Sequence, residues 1–593
     1  MTQPAIVAAL EPLFHPRSVA VIGATNNFAK WGYSTFASIM NSYPGDLYPV
    51  NRHDREILGY PAFPRVTDIP GPVDLVVIVV PPENVSGIMR DCVDKGVKAG
   101  VIITAGFAEV GAEGKAMQDE VMRIARSGGI RLVGPNCMGM WSAAANLPAF
   151  MFPMSIMEGP LALISQGGNI GGALVADAFA RGVGFQQYVS CGCTADIQIE
   201  DYIEYLGYDD SVEVILAYIE GLAESNRFVE KVRAVTSKKP VVVMKPGKTG
   251  AAARAISSHS GAMSGSDRIY DAAFRKAGVI RAENTTQLLD VSIGFLTQPL
   301  PKGRNVVITT PGGSYGVICA EACALRDLNV IDLPASAMET FSSMFPSRWS
   351  HGNPVDPAGN RNFVQYLRAP EILLQLPEVH AVIFMGFGSF SGLSSTFASG
   401  LAGPRMQMIG ERMKGVEELA RNAVGVIESR DPAAIGQIVR AALKTVFGSI
   451  MVSDASDLEA FVDLLSESLT TERMLQSAFY EDLKALFTFI SEGTPENIDI
   501  EDVFQLIESI IGALLTGWIQ KYGKPVITTT FTEVLVRLSE EGHFPYSSVE
   551  RAATVLAKLT EYGEYLERIE ARGDKQPGGA GATQGDRFGG HLR

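Results

Sequence analysis

The chain reads as an α/β protein assembled from several doubly wound units, and three observations predict it. Short apolar, β-branched runs alternate with helical stretches from residue 17 to about 145. A strand that runs into glycines recurs at Val21-Ile22-Gly23, at Ile164-Ser165-Gln166-Gly167-Gly168 and at Thr309-Thr310-Pro311-Gly312-Gly313. The 593 residues exceed what a single core organises, so about three to five domains are expected.

In chain order, Ser18-Val19-Ala20-Val21-Ile22-Gly23 reads as a buried strand entering a glycine turn. Leu47 to Val50, Leu75 to Val80, Gly100 to Thr104 and Arg131 to Val133 repeat the pattern. Continuous apolar strands separated by helices mark a parallel sheet covered on both faces. A second unit has strands at Leu161 to Ile164, Val214 to Tyr218 and Pro240 to Met244, and an amphipathic run from Arg268 to Gly278. A third has strands at Asn305 to Thr309, Val330 to Leu333 and Ala381 to Met385. From 391 to 515 the sequence turns to Met, Leu, Ala and Glu at helical spacing, where Met406, Met408 and Met413 read as packing residues. A strand–helix pattern returns from Tyr522 to about Arg568, and the Gly-rich charged tail 571–593 is expected to be disordered.

A net charge of −15 with no basic block argues against a nucleic-acid partner. The six cysteines, Cys92, Cys137, Cys191, Cys193, Cys319 and Cys323, lie scattered in apolar segments and read as buried free thiols of a reducing compartment. No secretory signal and no apolar run of about 18 residues is apparent, so a cytoplasmic location without a membrane anchor is expected.

Several motifs permit chemistry. His259 lies in Ser257-Ser258-His259-Ser260-Gly261-Ala262-Met263-Ser264-Gly265, small residues that let a polar segment approach a ligand closely. A neutral imidazole there can carry a phosphoryl group covalently, while local composition alone fits an N-cap loop with a surface histidine better. Glu220, at the end of a strand, could accept a hydrogen bond from a histidine nitrogen and fix its tautomer; taken alone, a strand-end glutamate is more often solvated. Gly23-Ala24-Thr25 follows a strand, but no G-x-G-x-x-G is present, and the second strand ends in Asn51-Arg52 where a ribose-binding acid would stand. The ligand is therefore nucleotide-like and not NAD. Val80-Pro81 and Pro135-Asn136 also end strands at the edge where open sheets bind ligands. Lys245-Pro246-Gly247-Lys248 is a weak phosphate-facing turn.

Together these elements resemble the alpha subunit of the ADP-forming acyl-CoA synthetases (acetate–CoA ligase, ADP-forming), relatives of succinyl-CoA synthetase. The resemblance rests on Ser18 to Ala24, Tyr48-Pro49-Val50-Asn51, Gly134 to Gly139, Ala162 to Gly168, Tyr218-Ile219-Glu220-Gly221, Ser257 to Asp267, Tyr270 to Phe274 and Asn353-Pro354-Val355-Asp356. It spans roughly residues 10 to 390, with Gly523 to Leu566 as a further family-like segment.

The resemblance implies an N-terminal Rossmann-like CoA-binding domain (1–150), followed by two flavodoxin-like ligase domains (151–300 and 301–390). A helical insertion (391–515) and a small α/β segment completing the second ligase domain (516–570) would follow. It implies that His259 is transiently phosphorylated and oriented by Glu220. Coenzyme A would be held by Gly23, Ala24, Thr25, Asn51, Arg52, Val80, Pro81, Pro135 and Asn136. Phosphoryl oxygens would meet Ser165, Gln166, Gly167, Gly168, Gly312 and Gly313. No metal site is expected on this chain. No ATP-grasp module can be placed, so ADP/ATP with Mg2+ is expected on a separate ATP-grasp beta subunit, with acyl-CoA or a carboxylic acid as substrate. A non-catalytic CoA-binding regulator on the same scaffold is the alternative reading; an oxidoreductase is disfavoured by the missing fingerprint.

Overall fold

The computed structural model describes residues 4–260, 266–360, 362–386, 511–512, 514–530 and 542–573, with the isolated positions 437, 441 and 459. The chain divides into two compact units, Met1–Ser292 with Tyr565–Gly579, and Ile293–Glu564 with Ala580–Arg593.

The first unit holds two large sheets. In the first are β1 (Ser18–Ile22), β2 (Asp46–Val50), β5 (Leu75–Ile78), β6 (Ala99–Ile102) and β7 (Arg131–Val133), all parallel, in the order β2-β1-β5-β6-β7. A small hairpin of β3 (Glu56–Ile57) and β4 (Tyr60–Pro61) interrupts the chain between β2 and β5. The apolar runs explain the arrangement. Val19, Val21, Leu75, Val77 and Val101 pack into one core, while Ala20, Ile22, Val76, Ile78 and Ile102 pack into a second on the opposite face. A strand buried on both faces needs helices on both sides, which parallel crossovers supply.

The second sheet repeats this order. β10 (Leu161–Ser165), β11 (Phe185–Ser190), β12 (Val214–Tyr218), β13 (Val241–Met244) and β14 (Ile280–Ala282) run parallel as β14-β13-β12-β10-β11. Its edge carries β8 (Gly139–Ser142) and β9 (Leu147–Phe150), a hairpin paired antiparallel to β11. Residues 139–150, which the sequence places at the close of the first segment, therefore pair into the second sheet. Their four-residue strands, one interrupted by Pro148, are too short to show a period. The Trp141 indole N–H donates to Phe185 O at 3.2 Å and pins the hairpin.

One core is common to both sheets. It contains Val19 and Val21 from β1, Ala162 and Ile164 from β10, and Leu10, Leu13 and Phe14 of the N-terminal helix Ala5–Phe14. The Phe14 ring stacks on Tyr205 with centroids 4.6 Å apart, and the Ser142 hydroxyl donates to Phe14 O at 2.7 Å.

The second unit contains a parallel sheet of β15 (Asn305–Thr309), β16 (Asn329–Val330), β17 (Ala381–Met385) and β18 (Val526–Thr529), ordered β16-β15-β17-β18. The strand expected at Val330 to Leu333 stops at Val330. Beyond it the Asn353 amide donates to Ile331 O at 2.8 Å and to Val306 O at 3.0 Å, the latter carbonyl also accepting from the Ile331 N–H at 3.3 Å. Pro334 then caps the helix Ala335–Met344. The expected helical segment 391–515 and the tail 571–593 lie, apart from a few end residues and the isolated positions, outside the described residues. All six cysteines are free thiols. No helix among the described residues is long and apolar enough to cross a membrane.

Candidate active site

Both doubly wound sheets of the first unit turn their carboxyl ends toward one cleft of about 960 Å3. From the first sheet it is lined by Gly23 after β1, Val79 to Pro81 after β5, Ile103 to Ala105 after β6, and Asn136 to Met138 after β7. From the second come Gln166 to Ile170 after β10, Gly192 and Cys193 after β11, Tyr218 and Glu220 after β12, and Pro246 after β13. Each sheet reverses its strand order beside its first strand, and such switch points are where open α/β sheets bind ligands.

On the first rim, glycine is a steric requirement. Gly23 has φ of +96°, and a Cβ there would come within 2.3 Å of Val79 O. A Cβ on Gly32 would lie 2.0 Å from Gly23 O, so the helix Trp31–Met40 can sit over the turn only because both positions lack side chains. That contact brings the helix start, with Lys30 and a half-exposed Trp31, to the cleft. The arrangement offers an anion the N–H groups of a helix end, one ammonium and an aromatic face. Lys30 and Trp31 escape a reading from sequence because nothing in Asn26-Asn27-Phe28-Ala29 predicts where that loop folds back.

Of the residues expected to hold coenzyme A, Gly23, Val80, Pro81 and Asn136 line the cleft, while Ala24, Thr25, Asn51, Arg52 and Pro135 do not. Asn51 shapes the turn instead. Its amide donates to Ala24 O at 2.8 Å, and its Oδ1 accepts from the N–H of His53 at 2.8 Å and of Asp54 at 3.1 Å. Arg52 is exposed.

On the second rim, Gln166 is a clamp. Its Oε1 accepts from the backbone N–H groups of Glu220 and Gly221, and its Nε2 donates to Gly221 O at 3.0 Å. Its own N–H donates to Tyr218 O at 3.1 Å. The Ser165 hydroxyl donates to Gly167 O at 2.6 Å and is fully buried. Gln166, Gly167 and Gly168 line the cleft and Ser165 does not; the helix Gly168–Ala180 starts there, and its Asn169 and Ile170 also belong to the lining. Asn169 and Ile170 were not expected from sequence, because only glycines announce a close approach.

Glu220 is 5% exposed, and the Tyr218 hydroxyl faces its Oε1 at 3.5 Å. Burial, then the Glu220 charge, pushes the Tyr218 phenol up to about 12, so it stays protonated as a donor. Burial likewise pushes the Cys193 thiol, beside Glu109, up to about 12. It is a poor nucleophile at neutral pH.

The backbone of His259 belongs to the helix Gly250–Ser260, where the sequence suggested a loop; its side chain and residues 261–265 lie outside the described residues. Ala252, Ala255 and Ile256 of that helix line the cleft. Position 259 follows them by seven, four and three residues, the spacing of one helical face. Gly312 and Gly313 belong to the second unit, where Gly312 caps the helix Gly313–Ala324. No group of His, Cys, Asp and Glu among the described residues could hold a metal ion.

A CoA binding domain family matches residues 17–142, a succinyl-CoA ligase-like flavodoxin domain matches 158–294, and a Ligase-CoA domain matches 305–419. The chain thus has the domain composition of the succinyl-CoA synthetase superfamily. The alpha subunit of acetate–CoA ligase (ADP-forming) II from Pyrococcus furiosus is 39% identical over 388 residues, covering 65% of this chain and 84% of that subunit. The alpha subunit of the form I enzyme from the same organism is 38% identical over 378 residues, covering 63% and 82%. An acetyl-CoA synthetase of Candidatus Korarchaeum cryptofilum, solved with phosphate and ADP, shares the fold with a TM-score of 0.67 at 24% identity, covering 95% of this chain and 98% of that one. The chain belongs to the ADP-forming acetate–CoA ligase family, as a chain of the alpha-subunit kind. The family is one of acid–thiol ligases, which favours the catalytic reading over a regulatory one.

Proposed function

We propose that the chain is the catalytic alpha subunit of an ADP-forming acyl-CoA ligase, interconverting acyl-CoA, ADP and phosphate with a carboxylic acid, CoA and ATP. The convergence of both rims on one cleft carries this reading: Gly23, Lys30 and Trp31 on one side, and Glu220 with the helix of His259 on the other. Acyl-CoA is a substrate here, and the first rim suits it. Gly23 and Gly32 let the backbone approach the ligand closely, Lys30 and the helix start face anionic groups, and Trp31 offers a stacking surface.

A phosphate oxygen attacks the thioester carbonyl carbon, the C–S bond breaks, and CoA leaves as its thiol once protonated. The resulting acyl phosphate donates its phosphoryl group to a neutral nitrogen of His259. The P–N bond forms, the P–O bond breaks, and the carboxylate leaves. Glu220 holds the other ring N–H, which fixes the tautomer and stabilises the positive charge that develops on the ring. The N–H groups at the start of Gly168–Ala180 stabilise the spread negative charge of the phosphoryl group in transit. ADP then takes the phosphoryl group on a separate subunit of the ATP-grasp kind, where Mg2+ would also be held; the alpha-subunit names of the relatives support a partner chain.

The test is phosphate incorporation. The chain is incubated with labelled phosphate and a panel of acyl-CoAs, and separately with labelled ATP and a candidate beta subunit. Acid-labile, base-stable label at His259 is expected. Absence of label in both arms, with CoA still bound, would leave a non-catalytic CoA-binding protein.

A further inference from the structure

A buried ammonium lies beside this site with no ion-pair partner among the described residues. Lys245 leaves the carboxyl end of β13 and is 4% exposed. Its Nζ donates to Pro246 O at 2.6 Å and lies 4.6 Å from the centre of the Tyr270 ring. The neighbouring cations are engaged elsewhere. Lys248 pairs with Glu283, and Arg281 pairs with Asp267 and Asp271 while donating to Lys245 O at 3.3 Å. A buried ammonium held only by a carbonyl and a ring face, without a carboxylate, is costly, and an arriving anion would offset that cost.

Its position identifies the anion. β12 and β13 are paired neighbours, and Ile219 N–H donates to Met244 O at 3.0 Å, so the segments leaving them, at Glu220 and at Lys245-Pro246, run side by side, and Glu220 and Pro246 line the cleft. Gly247 has φ of +105°, and a Cβ on it would meet Ile256 Cδ1 at 3.0 Å and Lys245 Nζ at 3.3 Å. Glycine at 247 therefore lets the ammonium approach the helix Gly250–Ser260 at Ile256, one turn before His259. Burial and the Arg281 charge lower the Lys245 ammonium from its usual range, and the charges of Asp267 and Glu220 oppose that.

We propose that Lys245 binds the phosphoryl group carried by His259, as the cation opposite the carboxylate Glu220. The proposal rests on the phosphohistidine reading and adds a residue to it. Glu220 acts on the imidazole; Lys245 acts on the phosphoryl oxygens, holding charge that would otherwise sit beside a carboxylate. It forms and breaks no covalent bond itself.

The experiment compares the wild-type chain, Lys245→Met and Lys245→Arg, each with its beta subunit. Lys245→Met keeps the volume and removes the charge. The expected result is a phosphorylation rate from ATP at least tenfold lower, and a KM for inorganic phosphate at least tenfold higher. The KM for acyl-CoA and the Kd for CoA should stay within about twofold. Lys245→Arg should recover part of the phosphate KM, which a purely packing role would not produce. If Lys245→Met does not fold, Lys245→Gln takes its place, and an unchanged phosphate KM in that variant overturns the proposal. Wild-type phosphate kinetics in a folded Lys245→Met, or a parallel loss of CoA binding, overturns it too. Failure of the wild-type chain to take up label would instead remove the phosphohistidine reading.

Discussion

The two rims of the cleft share a strand order and differ in what they place at its edge. The first sheet presents glycines, a helix start, Lys30 and Trp31, with no buried carboxylate among its lining residues. The second presents buried Glu220, the Gln166 clamp, and the helix that contains His259, with buried Lys245 directly before the lining residue Pro246. Under the proposed function one topology serves twice, once as the holder of a long anionic ligand and once as the holder of the chemistry. Much of the difference lies in the segments after each strand, as expected where function is grafted onto a shared scaffold.

That division can be broken first at His259. His259→Ala should lower phosphoryl transfer by more than about a thousandfold while leaving the Kd for CoA within about twofold; calorimetric titration beside a labelling assay reads both. Gly32→Ala attacks the opposite rim. Its Cβ would press on Gly23 O, so CoA binding should fall sharply, with a stability loss of about 1–3 kcal/mol in urea melts. Intact CoA binding in that variant would remove the Gly23–Gly32 turn from the ligand site.

Gln166→Ala sharpens the comparison, because it frees the Glu220 turn without touching the first rim. Phosphorylation should slow by about 10–100-fold, as when an orienting partner is lost, and CoA affinity should hold. A smaller effect is expected from Trp31→Ala. It should weaken CoA about tenfold, the scale of one lost stacking contact, with little change in kcat. The smallest effect concerns pH. The Cys193 thiol and Tyr218 phenol, ordinarily near 9 and 10, are both pushed up to about 12 in the folded chain. Between those values the unfolded state holds fewer protons than the folded one. Stability should therefore be full below about pH 9 and decline as pH rises toward 12. Urea melts at pH 8 and pH 10.5 read the difference; equal midpoints would mean that these groups are not protected from solvent.

What the sequence showed follows from period and burial. The central strands β1, β5, β12, β13, β15 and β17 carry apolar runs, whereas β11 with Gln186-Gln187 does not, and Glu220 stands out because it follows one of those runs. Helix boundaries were legible where glycine stops the chain: the run expected from Arg268 to Gly278 is the helix Asp267–Ala277, with Gly278 in the left-handed region. The helix of His259 was not legible, since Gly250-Ala251-Ala252-Ala253-Arg254-Ala255-Ile256 running into serines carries no strong amphipathic period. The clamp at Gln166 was equally hidden. A glutamine beside two glycines reads as a phosphate loop until its side chain is seen bridging to a turn 54 residues away. Lys245 looked like an ordinary strand-end lysine, because burial against Tyr270 comes from a helix distant in sequence.

The crossing between the rims has a mechanical consequence. Only Gly134 to Met138 separate β7 from β8, and both sides hold them: Asn136 N–H donates to Thr104 O at 2.9 Å, Cys193 N–H to Pro135 O at 2.9 Å, and Met138 N–H to the Ser190 hydroxyl at 3.0 Å. With a continuous core beneath, this crossing joins the two rims into one folded piece. A substitution that loosens it is therefore felt on both rims at once.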